Sequence, residues 1–163
     1  MKKLYLIRHA KSSWDDLSLS DFQRVLNKRG EGDAPLMAKA LNDEGIKPEL
    51  IISSPAIRAK TTAKIIADGI GYEKDIAFKD SIYESSDFNL MMVIKELDDA
   101  LESVMIVGHN PALTDVINKI SDFSLHNLPT CGMVALELEN GWVDLTPYKA
   151  KKIFYKYPKM FKD

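Results

Sequence analysis

Three short apolar runs lie far apart in this chain, at residues 4–7, 50–52 and 104–107. Each is followed by polar residues or glycine and then by a helical pattern. Runs this short read as strands buried on both faces. Strands that alternate with helices argue for a parallel sheet covered by helices. The first helix is expected over residues 28–42, with Leu36, Met37, Ala40 and Leu41 inward, Gly45 stopping it and Pro48 just beyond. The second should run from Pro55 to about residue 68, with Gly69 at its end. A third covers about 87–102, capped by Ser86 or Asp87, and a fourth starts at Pro111 with Asn110 as its cap. Later in the chain, runs 133–138 and 142–145 flank Glu139-Asn140-Gly141 as a hairpin would, and 151–157 reads as an edge strand.

A chain of 163 residues with no repeat and no linker is expected to form one domain, 1–163. The net charge of −2 offers no general attraction to nucleic acid or membrane. No apolar stretch is long enough to cross a bilayer. Cys131 is the single cysteine, which excludes an intrachain disulfide and a cysteine zinc cluster and fits a cytoplasmic location. The segment 149–162 holds six lysines interleaved with Ile153, Phe154, Tyr155 and Tyr157. That pattern suits an edge strand guarded by lysines better than a surface for single-stranded nucleic acid.

Residues that follow parallel strands collect at the carboxyl edge of the sheet, where open α/β sheets bind ligands. The first run delivers Arg8-His9-Ala10-Lys11-Ser12, the second Ser53-Ser54-Pro55-Ala56-Ile57-Arg58, the third Gly108-His109-Asn110-Pro111. Two arginines and two histidines thereby meet at one edge. Arginine offers a planar fork of donors that matches phosphate oxygens and stays charged. A neutral imidazole can attack phosphorus and form a covalent intermediate. Positioning and charge supply most of the rate of phosphoryl transfer, and helix starts at Pro55 and Pro111 would aim their amides at the same anion. Taken singly, each residue has a plainer reading: a satisfied structural histidine, or a surface arginine. Arg58 in a first helical turn would usually be solvated, and its charge is slightly unfavourable there, which itself hints at an anion nearby; its loss should leave stability nearly unchanged or raise it a little.

These motifs closely resemble the histidine phosphatase superfamily, also called the phosphoglycerate mutase-like fold, whose hallmark after the first strand is Arg-His-Gly. Here the triplet is Arg8-His9-Ala10, continuing Lys11-Ser12-Ser13-Trp14. This form is similar to the small branch of SixA-type phosphohistidine phosphatases. The likeness extends through Asp21-Phe22-Gln23-Arg24-Val25-Leu26-Asn27-Lys28-Arg29-Gly30, Asp33-Ala34-Pro35-Leu36-Met37-Ala38, Ser53-Ser54-Pro55-Ala56-Ile57-Arg58-Ala59-Lys60-Thr61-Thr62-Ala63 and Val107-Gly108-His109-Asn110-Pro111. It covers the chain from Lys3 to about Pro111. It implies a three-layer α/β/α sandwich with a mostly parallel central sheet. It also implies that His9 is the phosphorylated nucleophile, that Arg8, Arg58 and His109 form the phosphate pocket, and that no cofactor or metal is needed.

The proton donor in this family is usually a carboxylate. Glu84, in Ile82-Tyr83-Glu84-Ser85-Ser86, is the best candidate, with capping or solvating the next helix as the equal alternative. Lys11 and Ser12 would donate to the phosphate or leaving group, or belong to a solvated loop. Asp21 and Arg24 match a branch motif that normally reads Arg-Pro-Leu where this chain has Arg24-Val25-Leu26. They would shape the pocket rim as a pair or touch substrate directly. Trp14 lines the mouth or is a partly buried aromatic, and His126 and Cys131 read as structural. The expected substrate is a phosphorylated protein, phosphohistidine first, or a small phosphorylated molecule. A small-molecule phosphomonoesterase, a mutase and a non-catalytic phosphate-binding module are the competing functions.

Overall fold

The computed structural model describes residues 1–162. Its centre is one six-stranded sheet of order β3-β2-β4-β1-β5-β6. The strands are β1 (Lys2–Arg8), β2 (Leu50–Ser53), β3 (Ala77–Phe78), β4 (Ser103–Gly108), β5 (Met133–Leu138) and β6 (Lys151–Lys156). The first four are mutually parallel, while β5 runs antiparallel to β1 and β6 antiparallel to β5. The helices are α1 (Lys28–Asp43), α2 (Ile57–Ile70), α3 (Asp87–Lys95) and α4 (Ala112–Ile120).

Successive side chains of a strand point to opposite faces, so a strand covered on both sides must be apolar throughout. In β1, Leu4 and Leu6 enter one core with Leu90, Val93, Leu113 and Val116 of α3 and α4. Tyr5 and Ile7 enter the other with Met37, Leu41, Ile66 and Ile70 of α1 and α2. Two cores on either side of one sheet make the three-layer sandwich that the resemblance implies. Each fully buried Leu or Ile contributes about 1.5–3 kcal/mol through its removal from water. No helix of the described residues is long and apolar enough to cross a membrane.

Several local expectations are corrected. The inner face of α1 is Ala34, Met37, Ala38 and Leu41, with Leu36 and Ala40 only half-buried. Helix α2 begins at Ile57 rather than Pro55, and it runs past Gly69 to Gly71, whose φ of 75° closes it in the left-handed region. Gly69 serves packing instead. A Cβ there would lie 2.4 Å from Ala38 Cβ, so its bareness lets α1 and α2 approach. Helix α3 stops at Lys95, and a turn follows in which Asp98 accepts the Ala100 and Leu101 amides. Its cap is Ser86, which accepts from the Asn89 amide at 3.1 Å.

Residues 142–145 do not form a strand. Trp142–Asp144 is a single 3-10 turn, with the Trp142 ring buried and its Nε1 donating to Leu101 O at 2.9 Å. The hairpin partner of β5 is therefore β6, an edge strand as expected, whose Lys152 sits over the Phe123 ring and whose Lys156 pairs with Glu44. Strand β3, two residues long, has no periodicity to announce it.

Candidate active site

The register of the parallel strands levels their carboxyl ends. Arg8 pairs with Gly108, Ile7 with Val107, and Ser53 with Val107. The His9 amide then donates to Gly108 O and the Ser54 amide to Val107 O, each at 3.0 Å. This locks the three motif-bearing turns side by side. Arg8, His9, Lys11, Ser12, Asp21, Arg24, Arg58, Glu84 and His109 all line one cavity of about 280 Å³. A larger cavity, about 790 Å³, opens where β5 ends at Leu138, beside the start of β1, at the opposite edge of the sheet. Its lining includes none of these residues, so size does not mark the site.

His9 is buried, 6 % exposed. Its Nδ1 lies 2.7 Å from Ala10 O. A carbonyl oxygen only accepts, so Nδ1 carries the proton and Nε2 keeps its lone pair. Burial drives the ring's pKa down to about 3, with His109, Arg58 and Arg8 adding to the depression. The imidazole is neutral at pH 7, with one nitrogen free. The loop is braced from below, because the Ala10 amide donates to Thr62 Oγ1 and the Thr62 hydroxyl donates to Arg58 O.

His109 lies beside it, ring centroids 5.1 Å apart. Burial, then the charge of Arg58, lowers its pKa to about 4. Its Nε2 is held 2.8 Å from Ser54 Oγ.

The plainer reading of Arg58 as a solvated cation does not hold. It is 6 % exposed, with Nη1 donating to Asp21 O at 2.7 Å and Nη2 to Asp21 Oδ2 at 3.1 Å. Arg24 donates to the other carboxylate oxygen of Asp21 and, through Nη1, to Ser12 Oγ at 2.6 Å. The Tyr83 hydroxyl gives Asp21 Oδ2 a further bond at 2.7 Å. That bond, followed by those from Arg24 and Arg58, holds the Asp21 carboxyl down at about 2. Asp21 is thus the hub that fixes two guanidinium groups and a phenol around the cavity. Among the described residues, the Nε atoms of Arg8 and Arg58 are buried without a partner. Buried donors left unsatisfied are costly to the fold.

The helix starts contribute less than expected. The Ile57 amide donates to Phe22 O, Leu113 to His109 O, and Thr114 to Asn110 Oδ1. Those N–H groups are already committed and are not available to an anion. Asn110 is not the formal cap of α4, which is Pro111. Its Oδ1 still accepts the Thr114 amide in the first turn of α4, while its Nδ2 ties Asn127 and Leu128 to the site.

Glu84 is exposed, with φ of 53°, and does not cap α3, since Ser86 does. Trp14 is 66 % exposed rather than partly buried, and also lines the cavity. His126 is exposed, while Cys131 is buried and burial pushes its thiol pKa up. Tyr83, Ser54, Thr62 and Thr130 escape a reading of motifs. Ser54 and Thr62 lie within the second motif and Tyr83 adjoins Glu84, though the motifs assign none of them a role, whereas Thr130 has no local signal. Among the described residues, no group of three or more His, Cys, Asp or Glu side chains is gathered as for a metal ion.

A neutral histidine with one free nitrogen, set among guanidinium groups on the carboxyl edge of a mostly parallel sheet, defines an α/β enzyme built to handle phosphoryl groups. Comparison with known proteins sharpens that class. A family model described as the histidine phosphatase superfamily (branch 1) matches residues 4–86, and the chain belongs to that superfamily, as a phosphatase. A chloroplastic protein of Arabidopsis thaliana is 34% identical over 152 residues, covering 86% of this chain and 69% of the relative. The crystal structure of a candidate phosphohistidine phosphatase SixA from Agrobacterium tumefaciens aligns with a TM-score of 0.84 at 27% identity, covering 96% of this chain and 98% of that one. The protein histidine phosphatase SixA complexed with tungstate aligns with a TM-score of 0.85 over 98% of this chain and 99% of its own, at 17% identity. This last likeness is one of fold.

Proposed function

We propose that this phosphatase moves the phosphoryl group of its substrate through a covalent intermediate on His9, without a metal, and that its preferred substrate is a phosphohistidine in a protein. The observation that carries the reading is the fixed tautomer of His9: Nδ1 held on Ala10 O, and Nε2 free in a ring kept neutral by burial and by neighbouring cations. In the first step Nε2 attacks phosphorus, the bond from phosphorus to the substrate nitrogen breaks, and the departing imidazole takes a proton. In the second, water attacks the phosphorus on His9, inorganic phosphate leaves, and His9 regains its lone pair.

Arg8, Arg58 and His109 hold the phosphoryl oxygens in this scheme, with Lys11 and Ser12 at the rim. The cations provide the charge that a metal supplies elsewhere. Asp21 and Arg24 act by holding the pocket rather than by touching phosphorus. Glu84 is the candidate proton donor, a role a P–N bond needs less than an alkyl ester does, because imidazole leaves more readily than an alkoxide. A single buried cysteine fits a cytoplasmic setting.

The test is rapid-quench trapping with a ³²P-phosphohistidine peptide, in the presence of a chelator. Acid-labile label on the parent protein is expected, with none on His9→Ala, which should still bind tungstate. Turnover by His9→Ala within tenfold of the parent would remove His9 from its role. Activity lost in chelator and restored by a divalent ion would replace the metal-free scheme.

A further inference from the structure

The charged floor of the cavity accounts for the phosphoryl group and leaves the other half of the substrate without a place. Apart from the two imidazoles, the cavity lining among the described residues holds two aromatic rings, Trp14 and Tyr83, and no aliphatic side chain. We infer that Trp14 and Tyr83 form a subsite for a planar ring on the leaving group. This deepens the phosphohydrolase reading and rests on it.

Both rings are pinned, although they belong to loops far apart in sequence. Trp14 is 66 % exposed, yet the Arg24 guanidinium sits 3.7 Å from its ring centre. Arg24 is itself buried and bonded to Ser12 and Asp21. Tyr83 is tied to Asp21 by its hydroxyl and meets the Phe22 and His109 rings edge-on, with centroids 5.1 and 5.7 Å away. One carboxylate therefore holds both walls, Tyr83 directly and Trp14 through Arg24. Walls ordered before the ligand arrives lose little freedom on binding. Open indole is unfavourable in water and favourable against another flat apolar ring. An imidazole, phenol or heteroaryl leaving group offers such a face, whereas ammonia or a methyl group does not.

The test needs no turnover. Calorimetry gives the affinities of phenylphosphonate and methylphosphonate, which share the anionic head and differ in the ring. The parent protein should prefer phenylphosphonate by about two- to twelvefold, the usual worth of an aromatic pair. In Trp14→Ala that ratio should fall toward one while methylphosphonate affinity changes little, and Trp14→Phe should keep most of the preference. Equal binding of both phosphonates by the parent would overturn the ring subsite alone. A Trp14→Ala protein that weakened both equally would overturn it too, making Trp14 a support for Arg24 only. A parent that bound neither would overturn the anion pocket and the subsite with it.

Discussion

Buried His9 and half-buried His109 make stability depend on pH in a way that can be worked out. At pH 7 both rings are largely neutral whether the chain is folded or not, so each contributes little difference. In the unfolded chain each titrates near 6.5; in the folded chain His9 titrates at about 3 and His109 at about 4. Between those limits the unfolded chain takes up protons that the folded chain refuses. Stability must therefore fall as pH falls through 6.5. At about pH 4.5 each ring has lost about 2–3 kcal/mol, or about 4–6 kcal/mol for the pair, a large part of a typical domain's stability. Asp21 does not enter this window. Its carboxyl is held at about 2 against an ordinary 3.8, so its contribution is present above 3.8 and lost only below. The assay is denaturant unfolding at pH 7 and about 4.5 for the parent, His9→Gln and the double variant His9→Gln/His109→Gln. The single variant should lose about half as much as the parent, and the double variant least. Inorganic phosphate should flatten the parent's dependence, because an anion in the pocket favours the charged rings. A parent that loses less than about 1 kcal/mol, or a double variant that loses as much as the parent, would refute the reasoning.

Three further outcomes follow from single contacts. Arg58→Ala should lower activity about 10²–10³-fold. It should also lower stability by about 1–3 kcal/mol, because Asp21 loses charge-assisted bonds; an unchanged melting temperature would return Arg58 to the role of a solvated cation. Gly30→Ala places a Cβ 2.2 Å from Lys11 O, so the start of α1 or the Lys11 loop must shift, at about 1–3 kcal/mol, read as a lower melting temperature. Glu84→Gln should spare hydrolysis of a phosphohistidine peptide and cut kcat/KM on an alkyl phosphate by about 10²–10⁴; equal losses on both would mean that Glu84 is not a leaving-group acid.

The sheet and its loaded edge were legible in the chain, and for a physical reason. Short runs such as Leu4 to Ile7 and Val104 to Val107 are apolar throughout because helices cover both faces, and burial of that kind is written locally, residue by residue. Once those strands are parallel, whatever follows them must gather at one end. Arg8, His9, Arg58 and His109 could therefore be brought together from the order of the elements alone. Stops written as single residues were less secure. Gly69 looks like a helix end, but its bareness serves a helix crossing, a contact with Ala38 that only packing creates.

What tertiary structure alone decided is which charges meet. Asp21 joins Arg58 across 37 positions and Tyr83 across 62, with no periodicity to announce either pair. The fate of Arg58, solvated or buried, hangs on that meeting. So does the placement of Trp14, held in the open by an arginine whose own partner is Asp21. Apolar pattern reports how much water a segment avoids and so yields strands and their ends. Pairing between loops depends on approach in three dimensions, and apart from Arg24, three residues on, nothing beside Asp21 in the sequence records the partners it will hold.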